Sequence, residues 1–242
     1  MRRARQPFWR IAGKVGLSRA TVARIGNSCG LSHLSALDPK PEIIRYEKET
    51  PGEMIHIDIK KLGRIEGIGH RITGDRTGQS NPRGRKEGGK GWEYLHLAID
   101  DRSRVAYSEI LPDEKRSSCL RFLFNALRFY RAHGVRVQRV MTDNGASFRS
   151  RRYAKALRLL KIKHLRTRPY TPKTNGKAER FVQTSLREWA YARAYPTSDD
   201  RAQHLPEWLH RYNWHRPHRS LKSKPPISRL GLTGDNLLRL HI

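Results

Sequence analysis

Cysteine is nearly absent. Cys29 and Cys119 lie far apart and outside any Cys-x-x-Cys context, which argues against a disulfide framework and a thiolate zinc cage. No run of about 18 apolar residues occurs, so no membrane-spanning helix is encoded. The basic opening Met1-Arg2-Arg3-Ala4-Arg5 is not followed by an apolar stretch of signal-peptide length. These absences lead us to expect a reducing, cytoplasmic location and no membrane partner. Acids are scarce too: 22 Asp and Glu stand against 50 Lys and Arg, a net charge of +28. A chain so lopsided repels itself unless it meets a polyanion. Nucleic acid is the leading partner, with a ribosomal or membrane-surface role as the plainer alternative. Hydrophobic content of 36% still favours a globular chain, so an acid placed in an apolar strand needs a reason.

Residues 8 to 34 hold an apolar helix with Ile11, Ala12 and Val15, then a Gly16-Leu17-Ser18 turn. A second helix capped by Ser18 follows, through Thr21, Val22 and Ile25. That is a helix-turn-helix pattern, although short amphipathic pairs also occur for packing alone. We place this unit at 1–35, a proline-bearing linker at 36–52, the main domain at 53–226 and a tail at 227–242. Within the domain the pattern predicts strands at Met54 to Leu62, Glu93 to Ile99 and Arg104 to Leu111. A Gly- and Arg-rich excursion from Gly63 to Gly91 separates the first two. An amphipathic helix is expected from Lys115 to His133, with Leu120, Leu123, Phe124, Leu127 and Tyr130 on its apolar stripe. Then come a strand at Val135 to Thr142, a helix at Arg151 to Leu160 and a strand at Lys163 to Arg168. Helices at Gly176 to Tyr195 and Asp199 to Tyr212 complete the domain. The expectation is an α/β fold: a ribonuclease-H-like mixed sheet flanked by helices, with a small N-terminal helix-turn-helix.

Three acids stand out. Asp58 lies in His56-Ile57-Asp58-Ile59, where an unpaired carboxylate is costly. Asp143 ends an apolar strand, at the edge where such sheets present ligands, although Asp143-Asn144-Gly145 also reads as turn chemistry. Glu179 falls near a helix start, where the helix dipole alone would favour it. Two strand acids and one helix acid can converge on a pair of divalent cations. Two metals about 3.5–4 Å apart serve phosphoryl transfer by stabilising both the attacking and the leaving oxygen. Asp100 and Asp101 are rivals, but a hairpin turn accounts for them.

Between Asp143 and Glu179 lie 35 residues. With the flanks Thr-Asp-Asn-Gly and Asn-Gly-Lys-Ala-Glu-Arg, this spacing resembles the D,D,35-E signature of retroviral integrases and bacterial insertion-sequence transposases. The stretch Pro51 to Leu62 resembles the opening of the core in the insertion-sequence family numbered 481. Tyr212-Asn213, Arg216-Pro217-His218-Arg219-Ser220-Leu221 and Pro225-Pro226 resemble its end. The likeness implies a ribonuclease-H-like core in which Asp58, Asp143 and Glu179 are catalytic and hold two Mg²⁺ or Mn²⁺ ions. It implies a transposase that cleaves DNA and transfers strands between element ends and a target, as a homo-oligomer of at least two chains. A ribonuclease-H-like nuclease and a non-mobilising, DNA-binding remnant are the competing readings.

DNA contacts are expected from Lys173, Lys177, Asn144, Asn175, Arg180 and Arg187 around the acids. Arg19 and Thr21 are expected to add contacts from the recognition helix. Two departures stand out. Family members often carry a Lys or Arg seven residues beyond the glutamate; here Leu186 stands there, with Arg187 beside it. They also carry a longer N-terminal DNA-binding region, so weak choice of element end is expected of this chain.

Overall fold

The computed structural model describes residues 1–38, 47–65, 91–167 and 175–232. The chain forms two compact units, Met1–Tyr46 and Glu47–Ile242.

In the first unit, helix α1 (Phe8–Val15) ends at Gly16, whose φ of 67° is left-handed. Ser18 then caps α2 (Arg19–Ser28), its hydroxyl accepting the Thr21 N–H at 3.1 Å. That bond satisfies one of the amides a helix start leaves open. Ile11, Ala12 and Val22 make a small core, with Phe8 packed against it. The approach is close: a Cβ on Gly26 would lie 2.5 Å from the Phe8 ring.

The second unit is built on five strands. Alternating isoleucines make β1 (Ile55–Gly63), which pairs antiparallel with β2 (Trp92–Asp100); β2 pairs antiparallel with β3 (Ala106–Leu111). After α3 (Arg116–Ala132), strand β4 (Arg139–Thr142) lies parallel to β1 on its other side. Helix α4 (Arg151–Leu159) leads to β5 (Lys163–Arg166), parallel to β4. The sheet order is β3-β2-β1-β4-β5. Helices α5 (Gly176–Ser185), α6 (Ser198–Gln203) and α7 (Leu205–Trp214) follow.

Because strand side chains alternate, β1 serves two cores. Ile55 and Ile57 join Phe122, Leu123 and Tyr130 of α3 on one face. Leu62, with Leu95 and Leu97 of β2, joins Phe181, Trp208 and Tyr212 on the other. His56 and Asp58 have the parity of Leu62 and so belong to the face that carries α5. Fully burying one such apolar side chain stabilises by about 1.5–3 kcal/mol.

The expected mixed sheet with flanking helices is observed, with changes in detail. Phe124 is half exposed rather than on the buried stripe of α3, which runs through Cys119, Phe122, Leu123, Ala126 and Tyr130. The helix expected to reach Tyr195 is shorter: α5 passes into one wider turn, Leu186–Ala190, and stops. Tyr195 then turns back so that its hydroxyl donates to the Trp189 carbonyl at 2.9 Å. The helix expected over 199–212 is two, broken at His204. Pro206, in the first turn of α7, has no N–H with which to continue α6. The Gly- and Arg-rich excursion lies mostly outside the described residues.

Candidate active site

Asp58 sits in mid-strand on the α5 face of β1. Its Oδ1 accepts the N–H of Ile59 at 2.8 Å. Parallel pairing of β1 with β4 matches Ile55 to Val140 and His56 to Met141. Two residues further along, that register sets Asp143 alongside Asp58. Asp143 lies just past the end of β4, where its Oδ1 accepts the Gly145 N–H at 2.9 Å. The turn chemistry of Asp-Asn-Gly is thus present, and it leaves the other carboxylate oxygen available. Glu179 is in the first turn of α5, the helix that crosses β1 and β2.

The three acids share one electrostatic environment. Burial pushes the Asp58 carboxyl up to about 6, and the negative charges of Asp143 and Glu179 push the same way; the Ile59 N–H opposes them. Such mutual repulsion among acids is relieved by a cation. Asp143 and Glu179 are exposed and Asp58 is half-buried, so the cluster is open on one side. Among the described residues, no three His, Cys, Asp or Glu side chains are already drawn together into a metal cage. The donor set itself is all carboxylate oxygen, which suits a hard ion such as Mg²⁺ that keeps several waters.

Several expected DNA contacts are otherwise engaged. Lys177 is half-buried and donates to Asp101, so its ammonium is not displayed for phosphate. Asn175 is buried, with its Oδ1 3.0 Å from His56 Nδ1. Asn144 is exposed but donates to the Thr167 carbonyl at 2.7 Å, tying its own loop. Thr21 shares its hydroxyl with Ser18 at 2.9 Å within the α2 cap. Arg19, Arg180 and Arg187 are exposed, the last paired with Glu188 at 3.2 Å. Lys173 lies outside the described residues. Leu186, where relatives often carry a base, is half-buried against the α5-side core.

The hairpin reading of Asp100 and Asp101 is incomplete, because both are fully buried. Asp100 accepts from Gly52 N–H at 2.8 Å and from Ser103 through its N–H at 2.6 Å and its hydroxyl at 2.7 Å. Asp101 meets His56, Lys177 and the Lys48 N–H. Burial alone would raise its carboxyl, but these hydrogen bonds outweigh it and hold the group well below the usual carboxylate range. The sequence carried one signal for this network: a histidine two residues before Asp58, in a strand of isoleucines. Arg216, in the stretch that resembles the end of the family's core, makes a two-pronged bond to Glu188 at 2.7 and 2.8 Å.

Comparison with known proteins fits this geometry. A family model described as an integrase core domain matches residues 49–172, and a second of the same description matches 160–226. Among curated proteins, the chain is 33% identical over 87 residues to transposase InsD for insertion element IS2D of Escherichia coli K12, covering 36% of this chain and 29% of that one. It is 30% identical over 92 residues to the intracisternal A-particle Pol-related polyprotein of the mouse particle MIA14, covering 38% and 10%. The chain therefore spans well under half the length of the curated relatives it matches. Among solved structures, the simian T-cell lymphotropic virus intasome superposes with a TM-score of 0.56 at 16% identity, over 98% of this chain and 78% of that one. The HTLV-2 integrase catalytic core in complex with magnesium gives 0.51 at 14% identity, over 74% and 96%. These likenesses show a shared, ribonuclease-H-like fold. With the first model covering more than half of its length, the chain belongs to the integrase core domain family.

Proposed function

We propose that this protein is a transposase that cuts DNA at element ends and joins the released 3′-hydroxyl to a target strand. The observation that carries this reading is the shared field of Asp58, Asp143 and Glu179 at the open edge between β1, β4 and α5. In a chain of +28, a concentration of negative charge works against binding a polyanion, so it needs a purpose. Holding cations is that purpose. The three carboxylates would bind Mg²⁺ or Mn²⁺, two ions as in related chemistry, supplying charge to the attacking and leaving oxygens of a phosphodiester.

The chain's own contribution is alignment and charge. Asp58 is fixed by the strand, Asp143 by its turn and Glu179 by the helix start, so the acids lose little freedom when they act. The surrounding Lys and Arg hold the phosphate backbone, which positions DNA without reading its sequence. The α1–α2 pair in the first unit is the candidate for base contacts, through Arg19 and the exposed start of α2. The sequence flanks favour the insertion-sequence family numbered 481, and joining two ends favours at least a dimer.

The test is incubation of the chain with duplex carrying the element's terminal repeats, in Mg²⁺ and in Mn²⁺. Cleavage and joined products are expected from the wild type, and neither from Glu179→Gln. Cleavage without joining would point to a nuclease instead. Full activity of Glu179→Gln would remove the glutamate from the site.

A further inference from the structure

Beside the acids lies a second polar group that no step of the proposed chemistry uses. His56 and Asp58 are two residues apart on β1 and share a strand face. His56 is fully buried; its Nε2 is 2.8 Å from Asp101 Oδ1 and its Nδ1 is 3.0 Å from Asn175 Oδ1. Lys177 donates to the same Asp101 oxygen, while Asp101 Oδ2 accepts the Lys48 N–H at 2.7 Å. One buried carboxylate therefore ties β1 to the first turn of α5 and to the segment that leads into β1.

This arrangement replaces the ordinary way of starting a helix. Asn175 is the N-cap of α5 but makes no side-chain capping bond to it. Its side chain is turned to His56 instead. Asn175 and Lys177 thus dock the helix start onto the sheet, and Glu179 follows two residues later. Because a buried charge is tolerated only when its partners are in place, Asp101 favours the one placement of α5 that keeps Lys177 and Asn175 at the network.

We propose that Asp101, acting through His56, Asn175 and Lys177, is a positioning residue that sets where Glu179 stands relative to Asp58. It thereby sets the affinity of the acids for divalent cations. The inference rests on the reading of the three acids as cation ligands. Asp100 provides the contrast. It is as buried as Asp101 and adjacent to it, yet among the described residues its carboxylate bonds only to Gly52 and Ser103. It holds the turn and does not reach α5.

The experiment measures Mn²⁺ binding to the whole chain without DNA, by the paramagnetic resonance signal of the free ion, with thermal unfolding in parallel. Asp101→Asn should weaken Mn²⁺ binding roughly 10- to 100-fold, the usual effect of losing a group that orients metal ligands. Asp100→Asn should lower the unfolding temperature while leaving Mn²⁺ affinity within about 2-fold, because a turn defect has no path to the acids. His56→Gln and Lys177→Met each remove one arm and should give intermediate losses, which keeps the question open to measurement if Asp101→Asn does not fold. Two results overturn the inference alone: wild-type affinity in Asp101→Asn, His56→Gln and Lys177→Met, or an equal loss in Asp100→Asn. If Asp58→Asn binds Mn²⁺ as well as the wild type, the reading of the acids fails, and this inference with it.

Discussion

Lys177 donates to Asp101, although its place two residues before Glu179 would suit a phosphate clamp. Its half-buried ammonium is drawn toward the sheet by a buried carboxylate that also holds His56 and the Lys48 N–H. Arg180, one residue beyond Glu179, and Arg187, in the turn that follows α5, are both exposed. Position in the sequence and position in the electrostatic field therefore give different lists of DNA contacts.

That difference is measurable through salt. A protein neutralising Z phosphates shows a slope of log K against log salt near −0.9Z on duplex DNA. Arg180→Ala and Arg187→Ala should each flatten the slope by about 0.9, the loss of one phosphate contact. Lys177→Met should leave it unchanged and instead lower the unfolding temperature. A flattened slope in Lys177→Met would show that its pairing with Asp101 opens when DNA binds.

The acids should behave in the opposite way. They concentrate negative charge where a polyanion must approach, so Asp58→Asn, Asp143→Asn and Glu179→Gln should bind duplex DNA as tightly as the wild type or somewhat more tightly. We expect equal or up to roughly 10-fold higher affinity in metal-free buffer, the equivalent of about 1.4 kcal/mol of relieved repulsion. Gel-shift titrations at matched salt check this. Weaker binding by all three variants would mean that the carboxylates contact DNA themselves.

Much of the scaffold was legible because it follows local rules. The isoleucine alternation around Asp58 places β1 within a residue or two, and α3 was bounded at 115–133 against 116–132 observed. The 35-residue interval paired Asp143 with Glu179 on paper; in the fold, Asp143 lies just past β4, Glu179 lies in the first turn of α5, and both charges bear on Asp58. What stayed hidden depends on partners distant in sequence. Asp101 sits in a turn of residues that look like any hairpin, and its meaning comes from His56, 45 positions back, and Lys177, 76 positions on. The early end of α5 was hidden for the same reason: Tyr195 folding back onto Trp189 is a tertiary contact that helix propensity does not see. Phe124 misled because periodicity alone cannot tell a core position from a half-exposed one on a wide apolar stripe.

Gly52 illustrates a local requirement with a large cost. Its φ is +82°, and an added Cβ would lie 2.3 Å from the Arg136 carbonyl oxygen. Neither side can yield easily, since Gly52 donates to Asp100 and its carbonyl accepts the Gln138 N–H at 2.8 Å. Gly52→Ala combines left-handed strain with a backbone clash and should cost about 2–5 kcal/mol. Gly63→Ala meets nothing within 4 Å at an ordinary φ and should be within about 0.5 kcal/mol of the wild type. Urea denaturation of both variants tests the contrast, and equal midpoints would refute it.

Asp58 should make stability depend on pH. Its carboxyl lies near 6 against an ordinary value of 3.8, raised first by burial and then by Asp143 and Glu179. A carboxyl raised on folding is more easily ionised in the unfolded chain, so the folded state is penalised wherever the group is charged. At about pH 3 and below, the acid is mostly protonated in both states and the penalty vanishes. As pH climbs from there through about 6 the penalty grows, and it is complete above that. Its size is on the order of 1–3 kcal/mol, allowing for partial exposure of the side chain. Asp58→Asn removes the penalty, so the metal-free variant should unfold at a higher temperature than the wild type at pH 7.5, and at nearly the same temperature at pH 3. Divalent cations supply the missing counter-charge, so Mg²⁺ should raise the unfolding temperature of the wild type at pH 7.5 and do little for the variant. Thermal unfolding of both proteins at the two pH values, with and without Mg²⁺, decides the matter. A variant less stable than the wild type at pH 7.5 in metal-free buffer would show that the Asp58 charge is already balanced within the fold.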